Sequence, residues 1–138
     1  MIDHTGIWVP AAKHADTVDF YIKALAPLGY EKRISHANNQ AVGFGDAASR
    51  ADWWVNSTGL MGLPAESTPA PLNTHHAMSA KDRATVDAFY KAALAAGGRD
   101  NGAPGLRPHY HANYYAAFVY DPAGNNIEVV CHNPEILT

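Results

Sequence analysis

The stretch YYAAFVYDPAGNNIEVVCH, from Tyr114 to His132, predicts a β-hairpin that organises the rest of the chain. Its first half is rich in aromatic and β-branched residues, and its second half, from Asn126, alternates with a period of two. Both patterns are typical of strands. The intervening DPAG, residues 121–124, combines an Asx acceptor, a proline with a fixed φ and a glycine that tolerates positive φ. We therefore expect two antiparallel strands joined by this turn.

Glu128 is the unusual residue of the second strand, because it is a carboxylate flanked by apolar residues there. Such a carboxylate is either solvated on an open face or balanced by a cation inside the protein. The alternation predicts one face with Asn126, Glu128, Val130 and His132 and another with Ile127, Val129 and Cys131. Cys131 is accordingly expected to be a small buried hydrophobic residue rather than a nucleophile.

The composition disfavours several classes of partner. The chain has 138 residues, enough for one domain with its own core, and no apolar run as long as a membrane span. Its net charge is −3, and lysine and arginine are not clustered, which disfavours nucleic-acid and anionic-membrane partners. The first residues lack a signal-peptide pattern and Cys131 is the single cysteine, so we expect a cytoplasmic protein without an intramolecular disulfide. Eight histidines are many for this length.

The two halves of the chain repeat one pattern. The motif FYxxALAxxG occurs at residues 20–29 and again at 89–98, and Thr-Val-Asp precedes each copy. A repeat of half the chain predicts two βαβββ modules in one domain of residues 1–138. Module 1 is expected at about 1–57 and module 2 at about 72–138, with a Gly/Pro/Ser-rich linker at about 58–71.

Capping and turn residues give boundaries for the elements of both modules. Asp16 is a plausible N-cap for a first helix that runs to about Leu28, and Asp82 for a second helix that Gly97-Gly98 ends. The segment 100–108 contains glycines and prolines and is expected to be a loop.

Three potential metal ligands fall on three predicted strands. Alignment of the modules matches His4 on the first strand of one to His75 on the first strand of the other, and alternation places both on the same face as Glu128. Two imidazoles and a carboxylate suit Fe, Mn, Ni or Zn ions with open positions for substrate. His76 is expected on the opposite, helix side, while His14 and His36 are expected to be solvated. The alternative is a pair of core histidines beside a solvated glutamate.

The opening Ile-Asp-His at residues 2–4, the paired FYxxALAxxG helices and the ending DPAGNNIEVV resemble the vicinal oxygen chelate superfamily. That superfamily includes glyoxalase I, bleomycin-resistance proteins and extradiol dioxygenases. The resemblance implies an α+β fold of two βαβββ modules whose mixed sheets curve into a cleft. It also implies a divalent metal ion on His4, His75 and Glu128, and a homodimer whose clefts can include residues of both copies.

One position departs from the family pattern. The fourth ligand usually comes from the last strand of the first module, where this chain has Trp54, although Asp52 shares the parity of Trp54. This loss disfavours glyoxalase I activity and leaves a ligand set closer to the extradiol dioxygenases. Trp8 and Trp54 would then wall the cleft and favour a flat substrate.

The segment 107–115 is a second source of functional groups. Arg107 is a candidate partner for an anionic substrate, and His109, His111 and Tyr115 are candidates for a general acid or base. The alternative is that these residues form a hydrogen-bonded loop anchor.

Two functions follow from this reading. The first is a small metalloenzyme with glyoxalase-like lyase or isomerase chemistry, or extradiol-type dioxygenase chemistry, on a small and flat substrate. The second is a binding protein of the bleomycin-resistance type that sequesters a small aromatic ligand without catalysis. For either function we expect a small-molecule ligand and a homodimer, with Trp53 as a candidate dimer contact.

Overall fold

Two four-stranded mixed sheets, each with its own helix, make up the fold in this computed structural model, which describes residues 3–48, 50–67 and 74–135. The first sheet and its helix comprise β1 (Thr5–Val9), α1 (Ala11–Ala24), β2 (Tyr30–His36), β3 (Ala41–Asp46) and β4 (Trp53–Ser57). The second set comprises β5 (His75–Ser79), α2 (Arg83–Ala95), β6 (Arg99–Leu106), β7 (Tyr115–Tyr120) and β8 (Asn126–Cys131). Short 3-10 helices occupy Ala26–Leu28 and Thr58–Met61. The predicted α+β fold of two βαβββ modules is confirmed.

The two sheets have the same topology. Sheet A has the order β1-β4-β3-β2 and sheet B the order β5-β8-β7-β6. In each sheet the first strand pairs with the last in parallel, and the other pairs are antiparallel. The internal repeat of the sequence is therefore a repeat of structure.

The hairpin of β7 and β8 forms as its sequence predicts. Gly124 has a φ of 92° and donates its backbone N–H to the carbonyl of Asp121 at 2.9 Å. The Asp121 carboxylate also accepts from the backbone N–H groups of Ala123 and Asn125. The turn thereby fixes the register in which Phe118 pairs with Glu128.

A single core lies between the inner faces of the sheets, meaning the faces that carry the helices. Each helix packs on its own sheet, and α1 and α2 pack on each other. Cys131 is 1% exposed in this core, as expected. The core continues through apolar residues of both modules, including Ile7, Phe20, Phe44, Phe89, Val119, Ile127 and Val129. The opposite, outer faces of the sheets carry the polar side chains described below.

The first helix begins earlier and ends earlier than its sequence predicts. It starts at Ala11 directly after Pro10, so Asp16 is an exposed residue within the helix and not its N-cap. Proline lacks the N–H that a continuing helix needs, so Pro27 ends the α-helix before Leu28 and occupies a 3-10 turn. Gly29 closes that turn with a φ of 80°.

The segment 100–108 contains a strand, so the expected loop there is wrong. β6 is the edge strand of sheet B, where the missing N–H of Pro104 need not pair with a neighbour. Its register with β7 shifts between Asp100 and Gly102 and again between Gly102 and Gly105. These irregularities accommodate the glycines within a paired strand.

The second helix confirms its predicted caps. The Asp82 carboxylate accepts the backbone N–H of Thr85 at 2.8 Å. Gly97, with a φ of 95°, follows the C-terminal end of the helix. No helix among the described residues is long and apolar enough to cross a membrane.

Two side chains expected near solvent are buried instead. Trp53 is 2% exposed in the core, so it cannot be the dimer contact that we expected. His14 is 8% exposed, and its Nε2 lies 3.1 Å from the carbonyl oxygen of Val55 on β4. Both residues are buried because they face the interior between helix and sheet. The burial of His14 was missed because the predicted start of α1 at Asp16 left His14 outside the helix.

Candidate functional site

A buried carboxylate lies on the outer face of sheet B. Glu128 is 3% exposed, and each of its oxygens has a partner. The Tyr114 hydroxyl donates to Oε1 at 2.5 Å, and Nε2 of His75 lies 3.2 Å from Oε2. Parallel pairing of β5 with β8 brings His75 and Glu128 together.

The hydrogen bonds of His75 define the protonation of the pair. Its Nδ1 lies 3.3 Å from the carbonyl oxygen of Asn126, which can only accept, so Nδ1 carries a proton. In a neutral imidazole, Nε2 would then present a lone pair to the Glu128 carboxylate. That arrangement is repulsive unless Nε2 is also protonated or a cation lies between the two groups.

The donor set fits part of a metal site. Two atoms each about 2.1 Å from one metal ion are about 3 Å apart when they subtend roughly a right angle. The 3.2 Å between His75 Nε2 and Glu128 Oε2 is close to that spacing. The hydrogen bond from His75 Nδ1 to a backbone carbonyl is also the usual support for a metal-bound imidazole.

His4, the third predicted ligand, is not part of this pair. Its Nδ1 lies 2.8 Å from the Asp3 carboxylate, and its side chain is 63% exposed. Within the ranges that the structure describes, no three His, Cys, Asp or Glu side chains of one chain are close enough to share a metal ion. In a single chain, His75 contacts Glu128 directly, whereas His4 lines the same cavity as His75 but does not join a three-residue ligand group.

Tyr114 is a hydrogen-bond donor to the site throughout the neutral pH range. Burial of its hydroxyl and the hydrogen bond to Glu128 raise its pKa to about 12. The phenol therefore keeps its proton and orients one carboxylate oxygen. Sequence reasoning assigned no role to Tyr114. The alternation of the strand could have identified it. Tyr114 is four residues before Phe118, an even spacing, so both side chains lie on the face of Glu128.

Arg107 extends the same face of sheet B. Its guanidinium lies over the Phe118 ring at 5.6 Å, and Phe118 in turn stacks with His75. One end of the guanidinium donates to the carbonyl oxygen of Ala103 at 2.8 Å. A positive charge thus lies near the His75–Glu128 pair, beside an aromatic ring.

Histidine and tyrosine rings cluster at the end of the hairpin. His111 Nε2 lies 2.8 Å from His132 Nδ1, and the Asn113 backbone N–H donates to His111 Nδ1 at 3.2 Å. When both rings are neutral, His111 therefore carries its proton on Nε2 and donates it to His132. The Tyr114 ring contacts both imidazoles edge-on. His109 is exposed and contacts Tyr110 at the margin of this cluster.

Tyr115 does not reach the outer face. Its hydroxyl donates to Asp87 of α2 at 2.8 Å, and the Arg83 guanidinium lies over its ring. It pairs with Cys131, a core residue, so its side chain points to the helix side. Tyr115 therefore lies on the face opposite Glu128, because a shift of one residue along a strand reverses the face.

The outer face of sheet A is aromatic. Trp54 stacks on His36 with ring centroids 5.9 Å apart and an interplanar angle of 11°. Trp8 lies on the same outer face and is 43% exposed. A Cβ on Gly43 would come within 3.0 Å of the Trp54 ring, so the glycine leaves room for the indole. Trp8 and Trp54 thus both lie on the outer face of sheet A, and their role as walls of a cleft stays a prediction.

Comparisons with known proteins agree with this architecture. The family model for the Glyoxalase/Bleomycin resistance protein/Dioxygenase superfamily matches residues 1–129. No curated protein sequence gives a significant match.

Solved structures share the fold over nearly the whole chain. A glyoxalase/bleomycin resistance protein from Albidiferax ferrireducens has 24% identity and a TM-score of 0.67, covering 94% of this chain and 98% of its own. A glyoxalase/bleomycin resistance protein/dioxygenase family enzyme from Burkholderia phytofirmans has 19% identity and a TM-score of 0.70, with coverages of 96% and 98%. A lactoylglutathione lyase from Agrobacterium tumefaciens has 20% identity and a TM-score of 0.65, with coverages of 95% and 92%. With the family match over residues 1–129 and the paired βαβββ modules, this chain belongs to the Glyoxalase/Bleomycin resistance protein/Dioxygenase superfamily.

Proposed function

We propose that this protein is a small metal-dependent enzyme that acts on a small, flat substrate with two adjacent oxygens. The observation that carries the proposal is the arrangement at Glu128, a buried carboxylate with Tyr114 on one oxygen and His75 on the other. Either a protonated His75 or a bound cation must balance this buried carboxylate, and the proposal takes the bound cation. A divalent ion bound there would supply Lewis-acid chemistry, polarising the two substrate oxygens.

His75 and Glu128 would hold the ion, and His4 from a second copy of the chain would complete the ligand set. A single copy supplies only two of these ligands in one place, and its His4 is largely exposed. The outer face of each sheet is open, so a second copy has access to it. The proposal therefore includes a homodimer in which each site draws on both copies.

The other residues of the outer face have roles that follow from their positions. Tyr114 orients Glu128 through its hydroxyl. Arg107 is placed to pair with an anionic group of a substrate that stacks against Phe118. The His111–His132 pair is placed to pass a proton, since His111 Nε2 donates to His132 Nδ1 and leaves a proton on His132 Nε2. Both glyoxalase-like lyase or isomerase chemistry and extradiol-type oxygenation are compatible with this set.

Elemental analysis of protein purified without a metal-affinity tag tests the metal site. We expect a divalent metal in the wild type and its loss in His75→Ala, Glu128→Gln and His4→Ala. His36→Ala is the matched control, because it removes an exposed histidine that belongs to no predicted ligand set. Equal metal content in the wild type and the three ligand variants would contradict the proposal.

A mixed-chain experiment tests the shared site. In a dimer of one His4→Ala chain and one Glu128→Gln chain, one of the two sites has all three ligands and the other lacks two. Random mixing makes about half the dimers of this kind, so the mixture should contain about a quarter of the wild-type metal. Metal content as low as in the separate variants would show that the ligands do not come from two copies.

A binding protein without catalysis is the second candidate. The exposed Trp8 and the stacked Trp54–His36 pair favour it, because such a surface can sequester a flat aromatic ligand. A wild-type protein that binds aromatic compounds with no dependence on added metal, and whose affinity falls in Trp54→Ala but not in Glu128→Gln, would support this function over the enzyme.

A further inference from the structure

Asn125, the residue before β8, links the start of the Glu128 strand to the start of the His75 strand. It is 6% exposed, and both polar atoms of its side chain have partners. Oδ1 accepts from the backbone N–H of Thr74 at 3.2 Å and from the Thr74 hydroxyl at 3.0 Å. Nδ2 donates to the Asp121 carboxylate at 2.9 Å. Neither the metal ligands nor the substrate contacts proposed above include this residue.

The partners of the Asn125 amide fix its orientation. A backbone N–H can only donate and a carboxylate can only accept, so the amide oxygen must face Thr74 and the amide nitrogen must face Asp121. The backbone of Asn125 is held as well. Its N–H donates to Asp121 Oδ1 at 2.8 Å, and its carbonyl accepts the Asp121 N–H at 2.9 Å. The hairpin turn thereby presents a fixed acceptor to Thr74.

Thr74 directly precedes His75, the first residue of β5. The Thr74 carbonyl accepts the N–H of Asn126 at 2.9 Å, and His75 Nδ1 lies 3.3 Å from the Asn126 carbonyl oxygen. Residues 74 and 75 are thus bonded to residues 125 and 126 by backbone and side chain together. Because strand ends with few bonds open readily, these contacts determine where β5 begins and how its first imidazole is turned.

The His75 ring has few other restraints. Its side chain is 50% exposed, and in the described part of the chain β5 is an edge strand of sheet B. The stacked ring of Phe118 is 6.5 Å away, measured between centroids. A half-exposed ring at a sheet edge keeps one orientation only if hydrogen bonds around it are in place.

We propose that Asn125 is a positioning residue that orients the His75 imidazole by holding Thr74. In that orientation, Nδ1 of His75 faces the Asn126 carbonyl and Nε2 faces Glu128. The effect on metal binding rests on the proposed function, whereas the orientation of the ring is a property of the metal-free protein. Loss of a contact that supports a metal ligand typically lowers metal affinity about 10- to 100-fold.

The mobility of the His75 ring tests the proposal in the full-length, metal-free protein. Order parameters from ¹³C relaxation of the ring C–H groups report motion on the ps–ns timescale. In the wild type, the His75 ring should be nearly as restrained as that of buried His14, and in Asn125→Leu it should be as mobile as that of exposed His109. Equal mobility of His75 in the variant and the wild type overturns the proposal.

A pair of conservative substitutions keeps the test available if Asn125→Leu does not fold. Thr74→Val removes only the hydroxyl that donates to Asn125 Oδ1, at an exposed position, and should increase the mobility of the His75 ring. Thr74→Ser keeps a hydroxyl there and should retain the wild-type value. The same mobility in both variants would contradict the role of this contact.

Tyr21→Phe separates positioning from general stability. It removes another hydrogen bond to Asp121 and leaves the contacts of Thr74 in place, so the mobility of the His75 ring should not change. An increase as large as that in Asn125→Leu would show a general effect of stability and overturn the proposal.

Competition titration with Zn²⁺ completes the test. Asn125→Leu should lower the affinity about 10- to 100-fold relative to the wild type, and Tyr21→Phe should not. Unchanged affinity in Asn125→Leu overturns the positioning role in metal binding. A wild type that binds no metal overturns the proposed function instead, and the mobility of the His75 ring then decides the role of Asn125.

Discussion

The Tyr21 hydroxyl of the first module donates a 2.7 Å hydrogen bond to the Asp121 carboxylate of the second. Tyr21 lies on α1, and Asp121 lies in the turn between β7 and β8. Both are buried, at 0% and 2% exposure. The bond therefore connects the core to the turn that sets the register of the Glu128 strand.

Removal of this hydroxyl should destabilise the fold. In Tyr21→Phe a buried charged acceptor loses a donor, and we expect the free energy of unfolding to fall by about 1.5–3 kcal/mol. Urea unfolding measures it. Tyr110→Phe, at a residue that is 62% exposed, is the control and should leave the stability unchanged. Equal stability of Tyr21→Phe and the wild type would contradict the role of this bond.

The same bond predicts the alkaline limit of stability. Burial, followed by the charge and hydrogen bond of Asp121, raises the pKa of Tyr21 well above its usual value. Because the folded pKa is higher than the unfolded value of about 10, the stabilisation is complete below about pH 10 and is lost as pH rises towards the folded pKa. Unfolding measured against pH should show a decline above about pH 10 that is shallower in Tyr21→Phe. An equally steep decline in the variant would contradict this assignment.

Tyr114→Phe should weaken metal binding without unfolding the protein. The variant removes the donor to Glu128 Oε1, and loss of such a supporting hydrogen bond typically costs about 10- to 100-fold in metal affinity. Tyr115→Phe is the matched control, since the neighbouring hydroxyl bonds to Asp87 on the opposite face. Metal competition titration measures both. An equal effect of the two substitutions would show that the faces are assigned wrongly.

Gly98→Ala should destabilise the packing between the modules. A Cβ at this position would lie 2.5 Å from Val119 Cγ1 and 2.8 Å from Phe20 Cε2, so the core must shift at a cost of about 1–3 kcal/mol. Gly105→Ala is the control, because its added Cβ would meet only the flexible end of Arg107 at 3.0 Å. Thermal unfolding compares the two variants, and similar stabilities would refute the close approach at Gly98.

Substitutions of Asp82 and Asp16 test which of the two aspartates caps a helix. Asp82→Ala removes the acceptor for the Thr85 N–H and should cost about 0.5–2 kcal/mol of stability. Asp16→Ala should change stability by less than about 0.5 kcal/mol, because Asp16 is exposed within α1. Urea unfolding distinguishes them. A loss for Asp16→Ala as large as that for Asp82→Ala would support the helix start that the sequence alone suggests.

Sequence reasoning succeeded where the signal was local. The turn at 121–124 contains its own acceptor and glycine, and alternation along β8 placed Glu128 and Cys131 on opposite faces as observed. The paired helix motifs identified the duplication, and Asp82 identified the start of α2. These features depend on residues within a few positions of one another.

Sequence reasoning failed where a position depends on residues distant in the chain or where the strand pattern is irregular. The glycines and Pro104 of β6 predict a loop by composition, but bulges accommodate these residues within a paired strand. Tyr115 was expected to reach the cleft but lies on the helix side, and Tyr114, one residue earlier, was overlooked because a single step along a strand reverses the side chain. The spacing between His4 and the His75–Glu128 pair depends on how the modules pack, which no local pattern encodes.

If each site draws on two copies, as proposed above, protein concentration becomes a functional variable. The site is then complete only when two copies associate. Dilution below the dissociation constant would then switch the protein off without unfolding it.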